Sequence, residues 1–316
     1  MRKMLTLIVL AGALSVGACD KGPHKLQIAV IPKGTTHVFW KSVEAGAEQA
    51  SKELGVEIIW KGPLKENDRG QQIAIVEQFV GDKVGAIVLA PLDDSALVTP
   101  VQEAAAAKIP VVIIDSALKG QVGKDFVSYV ATDNLKGGEL AGEQLAKLLN
   151  GKGKVVLLRY QEGSASTTER ESGFLSVIKK NPDMSVLSEN RFAGATANEA
   201  QKEAMNMLDQ LKAADGVFCP NESSTFGMLL ALRQAGLAGK IKFVGFDATP
   251  QLVDALKAGD IDALVAQDPV KMGYEGVKAA VAAVRGQTVS QHIDTGVRVI
   301  TKPDLADPVI QKLIGQ

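Results

Sequence analysis

The sequence predicts an α/β protein of two similar lobes, each built on a parallel sheet. Three features carry that prediction. From Leu26 onward, short apolar runs alternate with amphipathic segments, the rhythm of βαβ units whose helices cover a sheet. The runs are bounded by turn residues and lack an alternation of period two, as strands buried on both faces do. Strand-to-turn passages also recur in both halves. Gly85-Ala86-Ile87-Val88-Leu89-Ala90-Pro91-Leu92-Asp93-Asp94-Ser95 has its counterpart in Gly216-Val217-Phe218-Cys219-Pro220-Asn221-Glu222-Ser223-Ser224. Val112-Ile113-Ile114-Asp115-Ser116 is matched by Val244-Gly245-Phe246-Asp247-Ala248. The length of 316 residues, roughly twice a usual domain, accommodates two such units. With 46% apolar and 22% charged residues, disorder is excluded. Thirty-five basic against 36 acidic residues leave no surplus for nucleic acid.

Along the chain, the first element is an export signal. Arg2 and Lys3 precede an apolar stretch, residues 4–16, too short to span a bilayer. It ends in Val16-Gly17-Ala18-Cys19, which resembles a bacterial lipobox. That resemblance implies cleavage after residue 18, lipid on Cys19, and a tether over 19–25. Asp20 is similar to an inner-membrane retention signal. The rival is an ordinary signal peptide with a chance cysteine. No later window holds 18 uninterrupted apolar residues.

Strands are expected at 26–31, 56–60, 86–90, 110–114 and 127–131, then at 154–158, 184–188, 216–219, 241–246 and 262–266. A helix over 39–54 closes on Gly55, a favoured C-terminal cap. In 69–80, Ile73, Val76, Phe79 and Val80 form one apolar stripe. The chain holds no low-complexity linker, so ordinary strand-to-helix connections are expected to join the lobes.

Catalytic signatures are missing. There is no phosphate-binding G-x-x-x-x-G-K-[ST] loop, no H-E-x-x-H, no G-x-S-x-G and no C-x-x-C. Gly151-Lys152-Gly153 precedes a strand, the wrong context for a dinucleotide. With Cys19 given to lipid, Cys219 cannot build a zinc site alone and reads as a buried thiol. No cofactor and no metal are expected.

Ligands of open α/β sheets gather beyond the carboxyl ends of the strands. The residues there include His37, Phe39 and Trp40 after the first strand, Asp115 and Ser116 after the fourth, and Tyr160 with the 164–170 run ending in Arg170. Asn221, Asp247 and Gln267 follow later strands. Carboxylates, amides and a guanidinium beside flat rings suit a polyol, whose hydroxyls both donate and accept. Phe39 and Trp40, adjacent on a helix, lie about 100° apart and cannot share one narrow core stripe. His37 reads as a neutral hydrogen-bonding ring, and Lys33 as a loop lysine facing solvent.

Several of these passages together resemble the ribose-binding-protein family. They are Phe39-Trp40, Asp115 after Ile-Pro-Val-Val-Ile-Ile, Ala131-Thr132-Asp133-Asn134 with Gly137-Gly138, and Glu169-Arg170-Glu171-Ser172-Gly173-Phe174. Val244-Gly245-Phe246-Asp247-Ala248-Thr249-Pro250 and Ala266-Gln267-Asp268-Pro269 complete the set. The resemblance, running from about Leu26 to Ile300, implies the type I periplasmic fold: two Rossmann-like lobes with parallel sheets joined by a three-segment hinge. It places one lobe at 26–132 plus 268–294 and the other at 133–267 plus 295–316. It implies an extracytoplasmic, monomeric sugar receptor, membrane-bound by its lipid anchor only, that serves an ABC permease. His37, Phe39, Trp40, Asp115, Arg170, Asn221, Asp247 and Gln267 become its ligand contacts, with Lys33, Ser116 and Tyr160 as weaker ones. Three departures stand out: Ser116 where the family commonly has Arg, a first loop one residue longer with Lys33, and no aromatic near Ala195-Thr196, where Tyr160 is the substitute. Two rival functions are a receptor for a furanosyl signal or other polar metabolite feeding a sensor, and an exported glycosidase using Asp115 and Asp247. A transcription regulator with this core would carry a helix-turn-helix where this chain has its export signal.

Overall fold

The computed structural model describes residues 25–315. The export signal, Cys19 and most of the tether lie outside the described residues. In chain order the first lobe is entered by β1 (Gln27–Ile31), α1 (Val38–Leu54), β2 (Glu57–Trp60), α2 (Arg69–Gly81), β3 (Ala86–Leu89), α3 (Val98–Ala106), β4 (Val111–Ile114) and β5 (Ser128–Ala131). The second follows as α4 (Asn134–Leu148), β6 (Gly153–Arg159), α5 (Ala165–Ile178), β7 (Met184–Phe192), α6 (Ala197–Asn206) and α7 (Leu208–Ala213). It continues with β8 (Gly216–Phe218), α8 (Glu222–Gln234), β9 (Lys242–Phe246), α9 (Pro250–Ala258) and β10 (Ala263–Gln267). The chain then returns through α10 (Pro269–Val284) and β11 (His292–Asp294), and ends with β12 (Val297–Thr301), a 3-10 turn and α11 (Pro308–Leu313).

Each lobe holds a six-stranded sheet, ordered β11-β5-β4-β3-β1-β2 and β12-β10-β9-β8-β6-β7. Ile28 and Val30 of β1 enter one apolar cluster while Ala29 and Ile31 enter another on the opposite face. Val156 and Leu158 of β6 part from Val155 and Leu157 in the same way. Both faces are thus covered, which is why these strands read as continuous apolar runs.

The chain crosses between lobes three times, after β5, after β10 and after β11. The first two crossings are the expected strand-to-helix connections. The third is not, because Asp294 leads through Thr295 and Gly296 straight into β12. Both β11 and β12 escaped the sequence reading, and β12 makes the second sheet mixed, since it runs antiparallel to β10. Edge strands bury one face at most, and β12 buries only Ile300 fully, so no apolar run announces them. β7 likewise extends past residue 188 to Phe192 with an exposed, irregular pattern.

Helix α2 turns a slightly different face inward than its apolar spacing suggests. Gln72, Ile75, Val76 and Phe79 are buried, whereas Ile73 and Val80 are half-buried. Gln72 is the reason. Its amide donates to Pro32 O (3.0 Å) and Ala90 O (2.8 Å) and accepts from Leu92 N (3.0 Å), tying together the ends of β1 and β3.

Candidate ligand-binding site

The segments beyond the carboxyl ends of both sheets meet in one cavity between the lobes. Lys33, His37, Phe39, Trp40, Asp115, Tyr160, Arg170, Asn221, Asp247 and Gln267 all line it, together with Glu66, Ser166, Thr167 and Glu222. Only about 30 Å³ stays open among them, space for one or two waters. Ser116 is not among the lining residues. It is fully buried, and its hydroxyl accepts from Ser166 N across the lobes (3.1 Å).

The matched aspartates occupy matched backbone. Asp115 follows β4 at φ 64° and Asp247 follows β9 at φ 71°, the left-handed region that Asp tolerates better than most side chains. The bend throws each carboxylate off its strand end. Asp247 Oδ1 accepts from Gln267 Nε2 (2.8 Å) and Oδ2 from Glu222 N (2.8 Å). Burial raises the Asp247 carboxyl above its usual value, and the Arg170 guanidinium opposes that shift.

Arg170 is 2% exposed and lies 3.9 Å above the Phe246 ring. Its Nε donates to Asn134 Oδ1 (2.9 Å), Nη1 to Pro220 O (3.0 Å) and Nη2 to Gln267 Oε1 (2.9 Å). Three of its five N–H donors are therefore held by protein and two remain. Close packing of α4 on α5 sets the height of Arg170. A methyl group on Gly138 would come within 1.9 Å of Arg170 O, and one on Gly173 within 2.2 Å of Leu135 O.

On the first-lobe side, Glu66 gathers three donors: Trp40 Nε1 (2.7 Å), His37 Nδ1 (2.6 Å) and Tyr160 OH (2.9 Å) from the other lobe. His37 also sets Nε2 against Ala195 O (3.1 Å). A carbonyl only accepts, so both ring nitrogens carry protons and the ring is charged, not neutral as expected. Burial alone would lower its pKa, but Glu66 overrides that and raises it to about 9. Burial likewise opposes ionisation of Glu66, yet His37 and its other donors hold it at about 2. Phe39 and Trp40 meet edge to face at 5.0 Å, and they serve the first-lobe core as well as the cavity wall.

A pH dependence follows from this pair. His37 rises above its ordinary 6.5, so its share of stability is whole below 6.5 and is lost as pH climbs through about 9. Glu66 falls below 4.5, so its share is whole above 4.5 and is lost as pH falls through about 2. The melting temperature of His37→Gln relative to wild type should be lowest near pH 4.5–6.5 and converge by pH 9. Parallel profiles for the two proteins would remove the His37–Glu66 assignment.

Lys33 does not face solvent. It is 3% exposed, with Nζ 2.7 Å from Asp115 Oδ2, 2.9 Å from Ser166 Oγ and 3.4 Å from Ser164 Oγ. Its three N–H donors are thus all engaged by protein. Asn221 is drawn partly into structure too, as the N-cap of α8 through Ser224 N (3.2 Å).

Glu66 and Glu222 are the site residues the sequence reading missed. Glu66 stands six residues beyond β2 in Lys65-Glu66-Asn67-Asp68, a charge run that looks like a solvated turn. Glu222 follows Asn221 directly, so position relative to the strand end was the available signal for both.

Two α/β lobes, linked by three crossings and meeting on a buried polar cavity, are the architecture of a solute-binding protein. A periplasmic binding protein domain model matches residues 28–288. A ribose import binding protein of Salmonella typhimurium is 30% identical over 307 residues, 96% of this chain and 99% of its own. A D-ribose/D-allose-binding protein of Pseudomonas aeruginosa is 31% identical over 317 residues, covering 96% and 98%. Among solved structures, an ABC transporter solute-binding protein of Agrobacterium vitis bound with alpha-D-tagatopyranose superposes with TM-score 0.86 at 36% identity, covering 92% of this chain and 99% of its own. Another from the same organism, with bound D-fucose, gives 0.87 at 35%, covering 90% and 98%. The chain belongs to the periplasmic binding protein family. Its relatives are extracytoplasmic sugar-binding transport proteins and not enzymes, which sets aside the glycosidase.

Proposed function

We propose that this protein captures a neutral monosaccharide between its lobes and delivers it to an ABC import permease. The lobes that move are 26–132 plus 268–294 and 133–267 plus 295–316, hinged where the chain crosses. The observation that carries the reading is the charge pairing of the cavity. Lys33 faces Asp115, His37 faces Glu66, and Arg170 is linked to Asp247 through Gln267. The lining sets three cations, Lys33, His37 and Arg170, against four carboxylates, Glu66, Asp115, Glu222 and Asp247, so an anionic ligand meets no net positive charge and loses its hydration. A hydroxylated neutral ring fits instead: the remaining Arg170 donors and the Asp115 and Asp247 lone pairs meet its hydroxyls, and Phe39 and Trp40 cover its C–H face. The cavity lies between the lobes and its lining side chains are largely buried, so entry of such a ring requires the lobes to part. The ligands of the relatives named above, ribose, allose, tagatose and fucose, belong to this class.

Calorimetric titration of the purified protein with D-ribose, D-allose, D-tagatose and D-fucose tests it. One-to-one binding of at least one sugar is expected, with none for gluconate or ribose 5-phosphate. Binding of the acids alone, or of nothing, would reverse the conclusion. The receptor acts as a monomer held to the membrane by lipid on Cys19. Cys19→Ser should move it from the membrane to the soluble fraction, and a wild type already soluble in cells would exclude the anchor.

A further inference from the structure

Helix α1 opens the first lobe's wall of the cavity, yet it lacks a cap of its own. His37 stands at its N-cap position with its ring turned to Glu66 and Ala195, makes no capping bond, and no acidic residue lies in the first turn. Four helices that start at the hinge or cavity cap themselves, α2 with Asp68, α4 with Asp133, α8 with Asn221 and α10 with Asp268, whereas α5 and α9 have no side-chain cap either. The missing acceptor comes from the opposite lobe. Glu222, first residue of α8, receives Val38 N on Oε1 (3.0 Å) and Phe39 N on Oε2 (2.9 Å).

We propose that Glu222 is a positioning residue that latches the lobes together by capping α1 across the cleft. The inference rests on the hinge-closing sugar receptor proposed above. Helix N-terminal N–H groups have no intrahelical partner, and a carboxylate there makes charge-assisted bonds favoured by the helix dipole. Donor and acceptor sit on different lobes, so these two bonds exist only on closure and bias the open–closed equilibrium. The latch is also tied to the ligand side of the site. Glu222 N donates to Asp247 Oδ2 (2.8 Å), so a sugar that orders Asp247 also orders the first turn of α8 from which the latch extends. Each Glu222 oxygen takes one α1 N–H, so although the residue also lines the cavity, the role proposed for it is through closure.

Stopped-flow binding of D-ribose, D-allose, D-tagatose and D-fucose to wild type, Glu222→Gln and Glu222→Ala tests this. For each sugar the wild type binds, dissociation should quicken about tenfold in the alanine variant and severalfold in the glutamine variant. Association should stay within about twofold, because affinity changes of this kind fall mostly on the off-rate. The fold-change should be the same for all sugars bound. Unchanged dissociation overturns the latch, and so does a fold-change that depends on the sugar, since that marks a direct ligand contact. Glu222→Gln keeps the side-chain volume and carries the test if the alanine variant does not fold. Failure of the wild type itself to bind any sugar is a separate outcome and removes the underlying reading together with this inference.

Discussion

Arg170→Ala is expected to weaken sugar binding by at least a hundredfold, about 2.7 kcal/mol. Two guanidinium N–H groups remain for ligand after Asn134, Pro220 and Gln267 have taken three. Hydrogen bonds to charged groups contribute roughly 1.5–3 kcal/mol each, so losing two reaches that threshold. The damage extends further. Asp247 is held between Gln267 and the N-terminus of α8, and Gln267 loses the donor that fixes its amide. Arg170→Lys should recover little, because a point charge cannot serve Asn134, Pro220 and Gln267 at once. Calorimetry below the melting temperature of the variant reads the effect directly. A folded Arg170→Ala protein binding within threefold of wild type would dismantle the proposed contact map while leaving the fold intact.

Gly138→Ala should be strongly damaging to stability. Its methyl group would press against the Arg170 carbonyl, and against Arg170 C at 2.6 Å, and backbone cannot rotate away as a side chain can. Helices α4 and α5 must separate, and overpacking of this kind costs about 1–3 kcal/mol, occasionally more. For a protein of this size each kcal/mol lowers the melting temperature by roughly 2–4 °C, so a fall of several degrees is expected. Affinity should fall as well, at least tenfold, because the displaced carbonyl belongs to Arg170 itself. Gly81→Ala in α2 is the control. A methyl there meets nothing within 4 Å, and in a helix alanine is favoured over glycine by up to about 1 kcal/mol. Its melting temperature should hold or rise. Equal melting behaviour of the two variants would show that α4 and α5 are not in the tight contact described.

Most of the fold was readable because its strands are buried on both sides. Runs such as Val111–Ile114 are apolar at every position, and burial on both faces is the one condition that imposes that pattern. The helices closed where Gly55 and Gly259 allowed a left-handed residue. What escaped were β11, β12 and the outer half of β7, where solvent on one side lets sequence drift. The inward face of α2 was misjudged for a different reason: Gln72 is polar by composition but buried by its three backbone bonds.

The site divided along the same line. Asp115, Asn221, Asp247 and Gln267 were visible because each stands within a few residues of a strand end, whereas Arg170, well inside α5, was visible only through the family motif around it. Lys33, Glu66 and Glu222 were misread or missed, since a charged side chain in a loop looks solvated until its partner is known. Those partners are remote in sequence. Lys33 reaches Ser166, Glu66 reaches Tyr160 and Glu222 reaches Phe39. Sequence by itself determined the strands buried on both faces, the order of the lobes and most of the residues raised to their common edge, because burial and turn geometry act over a few neighbours. Only the tertiary structure decided which charges neutralise one another and which groups clasp the lobes. Coulomb and hydrogen-bond energies depend on distances of about 3 Å between atoms that the chain order keeps tens to nearly two hundred residues apart.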